Sequence, residues 1–186
     1  MIAPAFTYSS ADHIYRLDGA LIPGLSQVLV AQGLRHHRGD EAAMARGREV
    51  HRLTALDDME ASDGLPMEYV GYVGAWAKAR KDLDLTLLHI EEPIASLQHR
   101  YGCTPDRVAR VRGEYHAVVE LKTGSPDPAD GIQLAAQAIA ARDTYGLTVI
   151  PRRIAVYLIR DGTSGIKEYT DPTRSEERRV GKECRL

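Results

Sequence analysis

Cysteine is nearly missing from this sequence: only Cys103 and Cys184 occur, and Cys184 falls in a terminal stretch set aside below. One remaining thiol can build neither a disulfide framework nor an iron–sulfur or zinc–thiolate cluster, which points to an intracellular protein. Long apolar runs are also missing, and none approaches the roughly 18 residues of a membrane span. The N-terminal MIAPAFTYSSADHIYRL has no basic start followed by an apolar stretch, so no secretory leader is expected. The expectation is a soluble, cytoplasmic protein without a membrane partner. A basic excess is lacking too, which argues against a protein that coats nucleic acid through bulk charge, because that mode needs cations to displace counterions from phosphates. An enzyme with a local basic groove is not excluded. No internal repeat, low-complexity segment, phosphate-cradling glycine loop or nucleophile elbow is found, so an unrelated small-molecule α/β enzyme has no motif to support it.

The 186 residues suit one domain, large enough to bury a core without staples. The last stretch, RSEERRVGKECRL (174–186), resembles the conceptual translation of a sequencing-library adapter and is set aside from functional reasoning. Removing its five basic and three acidic residues from totals of 24 and 26 leaves 19 and 23, a net charge of −4 over residues 1–173. Short blocks such as Arg80–Asp82 and Pro151–Arg153 read as solvated surface.

HIYRLDGALIPG (His13–Gly24) predicts a small hairpin turning at Asp18-Gly19. Helices are expected over about 40–62 and 66–83, the second with Pro66 in its first turn. Strand-rich segments follow, then a helix over about 129–145 and a returning strand in RRIAVYLIR. Helices, a strand meander, a helix and a last strand make an α/β or mixed α+β domain with a central mixed sheet flanked by helices.

The stretch VVELKTGSP (118–126) places Glu120 and Lys122 at the end of an apolar strand. If Arg112-Gly113-Glu114 forms a three-residue loop, Val111 faces Tyr115 and, by continuation, Asp106 faces Glu120. Directly opposed β-carbons lie about 4.5–5.5 Å apart, so two carboxylates there need a cation between them. Alternation puts Lys122 on the same face as Glu120. Two carboxylates and an ammonium suit a hard divalent cation, magnesium or manganese, that binds a phosphate oxygen and a water. An ordinary cross-strand ion pair between Asp106 and Lys122, with Glu120 in water, explains the spacing equally well.

Pro105-Asp106 followed by Glu120-Leu121-Lys122 resembles the signature of the PD-(D/E)XK nuclease superfamily, which implies a restriction-endonuclease-like core. Further residues resemble its RecB-like, phage-exonuclease-type branch. GREVH places His51 where that branch carries a histidine metal ligand, and IEEP supplies a glutamate ahead of the core hairpin. Of the two, Glu91 fits the Glu-x-Pro pattern and Glu92 should point to the other face. QLAAQ follows on the next helix, with Gln133 matching the family's glutamine and Gln137 standing where the branch commonly has tyrosine. Positions four apart share a helix face, so both amides can still point to the site; the aromatic ring and its phenol are lost. The resemblance, over roughly residues 13–160, implies metal ligation by His51, Asp106 and Glu120, with Glu91 a possible addition. It implies catalytic roles for Asp106, Glu120, Lys122 and Gln133, with Gln137 as a further candidate. The function expected from it is a magnesium- or manganese-dependent nuclease, a DNA exonuclease of phage or bacterial recombination, repair or end processing, with DNA and a recombination or single-strand-binding protein as partners. The alternative is a nuclease-fold subunit that binds DNA ends or a protein partner without hydrolysis.

Overall fold

The computed structural model describes residues 5–34 and 40–170, and the terminal stretch 174–186 lies outside them. Three short strands, β1 (Phe6–Ser9), β2 (Ile14–Leu17) and β3 (Ala20–Ile22), form an antiparallel sheet in that order. The β2–β3 turn uses Asp18 and Gly19 at φ 53° and 78°, the left-handed pair that Asp-Gly favours. The expected hairpin is therefore present. Strand β1, four residues long, and helix α1 (Leu25–Ala31), seven long, were not anticipated, because elements this short show too little periodicity.

Helix α2 (Glu41–Asp58) is capped by Asp40, whose side chain accepts from the Ala42 amide. Helix α3 runs Val70–Asp82, so the expectation that Pro66 occupies its first turn is corrected. The Pro66 carbonyl accepts from the Tyr69 amide in a turn ahead of the helix. Pro66, Met67 and Glu68 are exposed, and without core contacts the sequence preference alone does not hold them helical.

The main sheet is assembled from β4 (Leu85–Ile90), β7 (Arg107–Val111), β8 (Tyr115–Lys122), β9 (Arg152–Leu158) and β10 (Ser164–Glu168) in the order β10-β9-β8-β7-β4. Between β4 and β7 the chain makes a two-stranded ribbon, β5 (Ile94–Ser96) with β6 (Tyr101–Cys103). All pairings in the main sheet are antiparallel except β8–β9, which is parallel and joined by helix α4 (Pro128–Tyr145). A parallel pair needs such a crossover. The fold is a mixed α+β arrangement, with four helices among the described residues and a five-stranded mixed sheet.

Alternation along β8 decides what the site contains. Ala117, Val119 and Leu121 join Trp76, Tyr72 and Ala79 of α3 and Val50 of α2 in one apolar cluster. Val118 belongs to the opposite cluster, with Leu134, Ala138 and Ala141 of α4 and Leu25, Val28 and Leu29 of α1. Glu120 and Lys122 share the face of Val118 and reach toward α4.

Candidate metal centre

The β7–β8 ladder pairs Val111 with Tyr115 and Arg107 with Val119, the register counted from the three-residue loop. Arg112 and Gly113 both take positive φ there, 52° and 69°. Asp106 stands one residue before the ladder begins, and its carboxylate is directed to His51 and the Leu121 amide, where the counted register placed it opposite Glu120. Oδ2 accepts from the Leu121 amide at 2.6 Å, and Oδ1 accepts from His51 Nδ1 at 2.9 Å. Asp106 is 4% exposed, so these contacts replace water that its charge would otherwise need.

Glu91 arrives from the other side. Its amide donates to the Asp106 carbonyl at 3.0 Å, extending the β4–β7 pairing by one step. Its φ is 49°, a left-handed conformation that costs about 1 kcal/mol or more in a residue with a side chain. The result sets Glu91 Oε1 4.0 Å from His51 Nδ1. Glu92 turns away and accepts from the ring of His89 at 2.5 Å. His51, Glu91 and Asp106 thus offer an imidazole nitrogen and two carboxylate oxygens within 4.8 Å of one another, a group that could hold a metal ion.

Glu120 lies outside that group. Its Oε1 accepts from Gln133 Nε2 at 2.5 Å and from Lys122 Nζ at 3.3 Å, and its Oε2 accepts from Gln137 Nε2 at 2.8 Å. Lys122 also donates to Gln133 Oε1 at 2.9 Å and lies 3.5 Å from Asp130 Oδ1. The expected residues therefore divide between two adjoining clusters. One is His51, Glu91 and Asp106; the other is Glu120, Lys122, Gln133 and Gln137. The charge of Glu120 still acts on His51.

The electrostatics follow from burial and proximity. The Asp106 charge, against a smaller opposing effect of burial, raises the His51 imidazole to about 9, with the Asp106 hydrogen bond and the charges of Glu120 and Glu91 adding to it. Burial, followed by repulsion from Asp106, raises Glu91 to about 7. Burial also pushes Asp106 up, but the His51 charge and hydrogen bond, the Leu121 amide and Lys122 together hold it below the usual carboxylate range. At neutral pH a protonated His51 is thus the cation between the two carboxylates. Metal binding through Nδ1 has to displace that proton.

Several supporting residues were not found by sequence reasoning. Arg107, fully buried, donates through Nε to Asp58 Oδ2 at 2.5 Å and through Nη1 to the Asp106 carbonyl at 2.6 Å and Glu91 Oε1 at 3.4 Å. Asp58 also accepts from Trp76 Nε1 and from Arg80 Nη1. This network fastens the end of α2 to the strand that carries Asp106. Asp130, the N3 acid of the α4 capping box, accepts from the Asp127 amide and the Tyr157 hydroxyl while standing beside Lys122. Its Asp-Pro-Ala-Asp spacing is a readable helix-start signal; Asp58 and Arg107 carry no local signal.

Two cavities adjoin the group. One, of about 720 Å³, is lined by Gly47, Arg48, His51 and Arg52 of α2; the other, of about 600 Å³, lies between the N-terminal sheet and α4, and Glu91 lines both. No known protein-family model matches the chain, and no curated protein matches it in sequence.

Proposed function

We propose that the chain is a metal-dependent nuclease with a restriction-endonuclease-like core, acting as an exonuclease on DNA in phage or bacterial recombination, repair or end processing. The observation that carries this reading is the meeting of His51, Glu91 and Asp106 beside the Glu120–Lys122 strand end. Two carboxylates and one imidazole suit manganese or magnesium better than a soft ion, since oxygen donors dominate and no thiolate takes part. Such an ion, when bound, polarises a phosphate oxygen and makes a water nucleophilic at neutral pH. Asp106 and Glu91 supply the negative charge that holds it, and Arg107 keeps Glu91 and the Asp106 backbone in place. Lys122, part-buried and oriented by Gln133 Oε1, carries an ammonium that can hold the attacking water or stabilise charge building on the phosphate. Gln133 and Gln137 keep the Glu120 carboxylate beside it.

One observation favours a second reading, a nuclease-fold subunit that binds DNA without cutting it. Both oxygens of Glu120 are taken by amide donors, which leaves three protein ligands rather than four for the ion. Purified protein incubated with labelled linear and circular DNA in magnesium, manganese or chelator decides between them. Metal-dependent loss of linear DNA is the result expected. Binding without cleavage under every metal condition would leave only the second reading.

A further inference from the structure

The cavity between the N-terminal sheet and α4 has an aromatic wall that the cleavage chemistry does not require. Tyr8 and Tyr15 are direct partners in the β1–β2 ladder, with ring centroids 4.9 Å apart. Tyr15 is held from behind: its ring lies so close to Gly102 that a β-carbon there would come within 2.2 Å, and its hydroxyl is 3.0 Å from Thr104 Oγ1. Tyr8 is braced in turn by a 2.8 Å hydrogen bond between its hydroxyl and His13 Nδ1. Opposite stand Gln133 and Gln137 of α4, and Gln137 Oε1 is buried with no hydrogen-bond partner. A buried acceptor left unpaired is uncommon in a native fold, and an N–H brought in by a ligand is one donor that would satisfy it.

The two cavities differ in chemistry. Arg48 and Arg52 line the α2 side, although Arg52 is already engaged by Glu49, so cations for phosphate lie there. On the aromatic side, among the described residues, Glu91 is the only acidic residue in the lining, and neither Lys nor Arg takes part. A volume of about 600 Å³ is within the range of small-molecule sites and wide enough for a purine or pyrimidine ring. We infer that this cavity takes an unpaired nucleobase of the strand being cut, stacked on Tyr8 and offering an N–H to Gln137 Oε1. The preferred substrate is then a single-stranded or frayed end, because a base stacked within an intact duplex cannot present its face to an aromatic ring. This rests on the nuclease reading, of which it names the substrate.

The test measures binding and cleavage separately. In chelator, fluorescence anisotropy with a labelled single-stranded oligodeoxynucleotide and the corresponding blunt duplex is recorded for the wild type, Tyr8→Ala and Tyr8→Phe, each checked for folding by circular dichroism. The single strand should bind the wild type more tightly than the duplex. Tyr8→Ala should weaken single-strand binding about five- to a hundredfold, the loss of one stacked base, and leave duplex binding unchanged. Tyr8→Phe, which keeps the ring, should restore most of it. A fluorescent purine analogue at the strand end should be quenched by the wild type and by Tyr8→Phe, and not by Tyr8→Ala. Equal single-strand affinity in all three proteins, with manganese-dependent cleavage intact, would overturn the cavity assignment and leave the nuclease standing. If wild type cuts no DNA yet Tyr8→Ala loses single-strand binding, the nuclease reading falls and the nucleobase site remains. Failure of the wild type to bind single strands overturns the cavity assignment whatever the cleavage result.

Discussion

Lys122 and Asp106 separate catalysis from binding at the level of single side chains. An ammonium that acts mainly on transition-state charge should be dispensable for affinity, so Lys122→Ala should cut turnover by about a hundredfold or more while DNA affinity changes little. Single-turnover kinetics alongside binding titrations measure the two. Asp106→Asn removes a metal-binding charge and also a charge that repels phosphate. It should abolish cleavage and preserve or tighten DNA binding in chelator. Cleavage that survives both substitutions would exclude the β7–β8 strand ends as the reacting site. His51 supplies a pH test. Its folded pKa, near 9, lies above the ordinary histidine value of 6.5, so the folded chain holds more protons than the unfolded one between those values. Stability from this proton is fully present below about 6.5 and is lost as pH rises through about 9. Glu91, raised from 4.5 to about 7, acts in the same direction over the lower window. Manganese competes with both protons. The rise in melting temperature on adding manganese should therefore be larger at pH 9 than at pH 6.5, and His51→Gln should flatten the difference. An increment independent of pH in the wild type would remove His51 from the ligand set.

Among the elements, the junction of α2 with β7 bears most on the site. Asp58 and Arg107 are fully buried at their side chains, and Arg107 continues to Glu91 and the Asp106 carbonyl. Asp58→Ala leaves buried Arg107 with only the more distant Glu91 carboxylate as an acidic partner, which should cost about 3 kcal/mol in urea unfolding. Replacing both by apolar residues of similar size should recover much of that loss, since the desolvation penalty disappears with the charges. A loss under about 1 kcal/mol for Asp58→Ala would mean that Arg107 finds another partner and that the junction is not what fixes Asp106. Helix α4 has the complementary task. Its Asp127–Asp130 capping box starts the helix where Gln133 and Gln137 face Glu120, so one turn of misalignment would remove both amides from the carboxylate.

For the molecule as a whole, charge sets how DNA is held. The full chain carries a formal net charge of −2, and among the described residues the cations lining the cavity on the α2 side are Arg48 and Arg52, the latter engaged by Glu49. Binding through so few phosphates should release few counterions. The slope of log affinity against log salt should be about −3 or shallower, where a protein with a broad basic footprint gives −6 or steeper. A steep slope would point to a basic surface elsewhere on the chain. Among the described residues no helix is long and apolar enough to cross a membrane.

What sequence determines here is local. The Arg112–Glu114 loop sets the β7–β8 register because a three-residue connection leaves little choice of pairing, and alternation then puts Glu120 and Lys122 on one face. The Asp18-Gly19 turn, the Asp40-capped start of α2 and the extent of α4 follow from residues that act within a few positions of themselves, whereas α2 ends at Asp58 rather than near Ser62. Tertiary structure alone decides the rest. Asp106 turns from Glu120 to His51 because the Leu121 amide and a helix 55 residues upstream meet it there. Glu91 reaches the group through a left-handed backbone bend that no side-chain pattern encodes. The start of α3 shifts from Pro66 to Val70 because only the later residues have a sheet to pack on. Burial of Asp58 and Arg107 depends on α2, α3 and β7 closing together, and charged residues read one at a time look like surface.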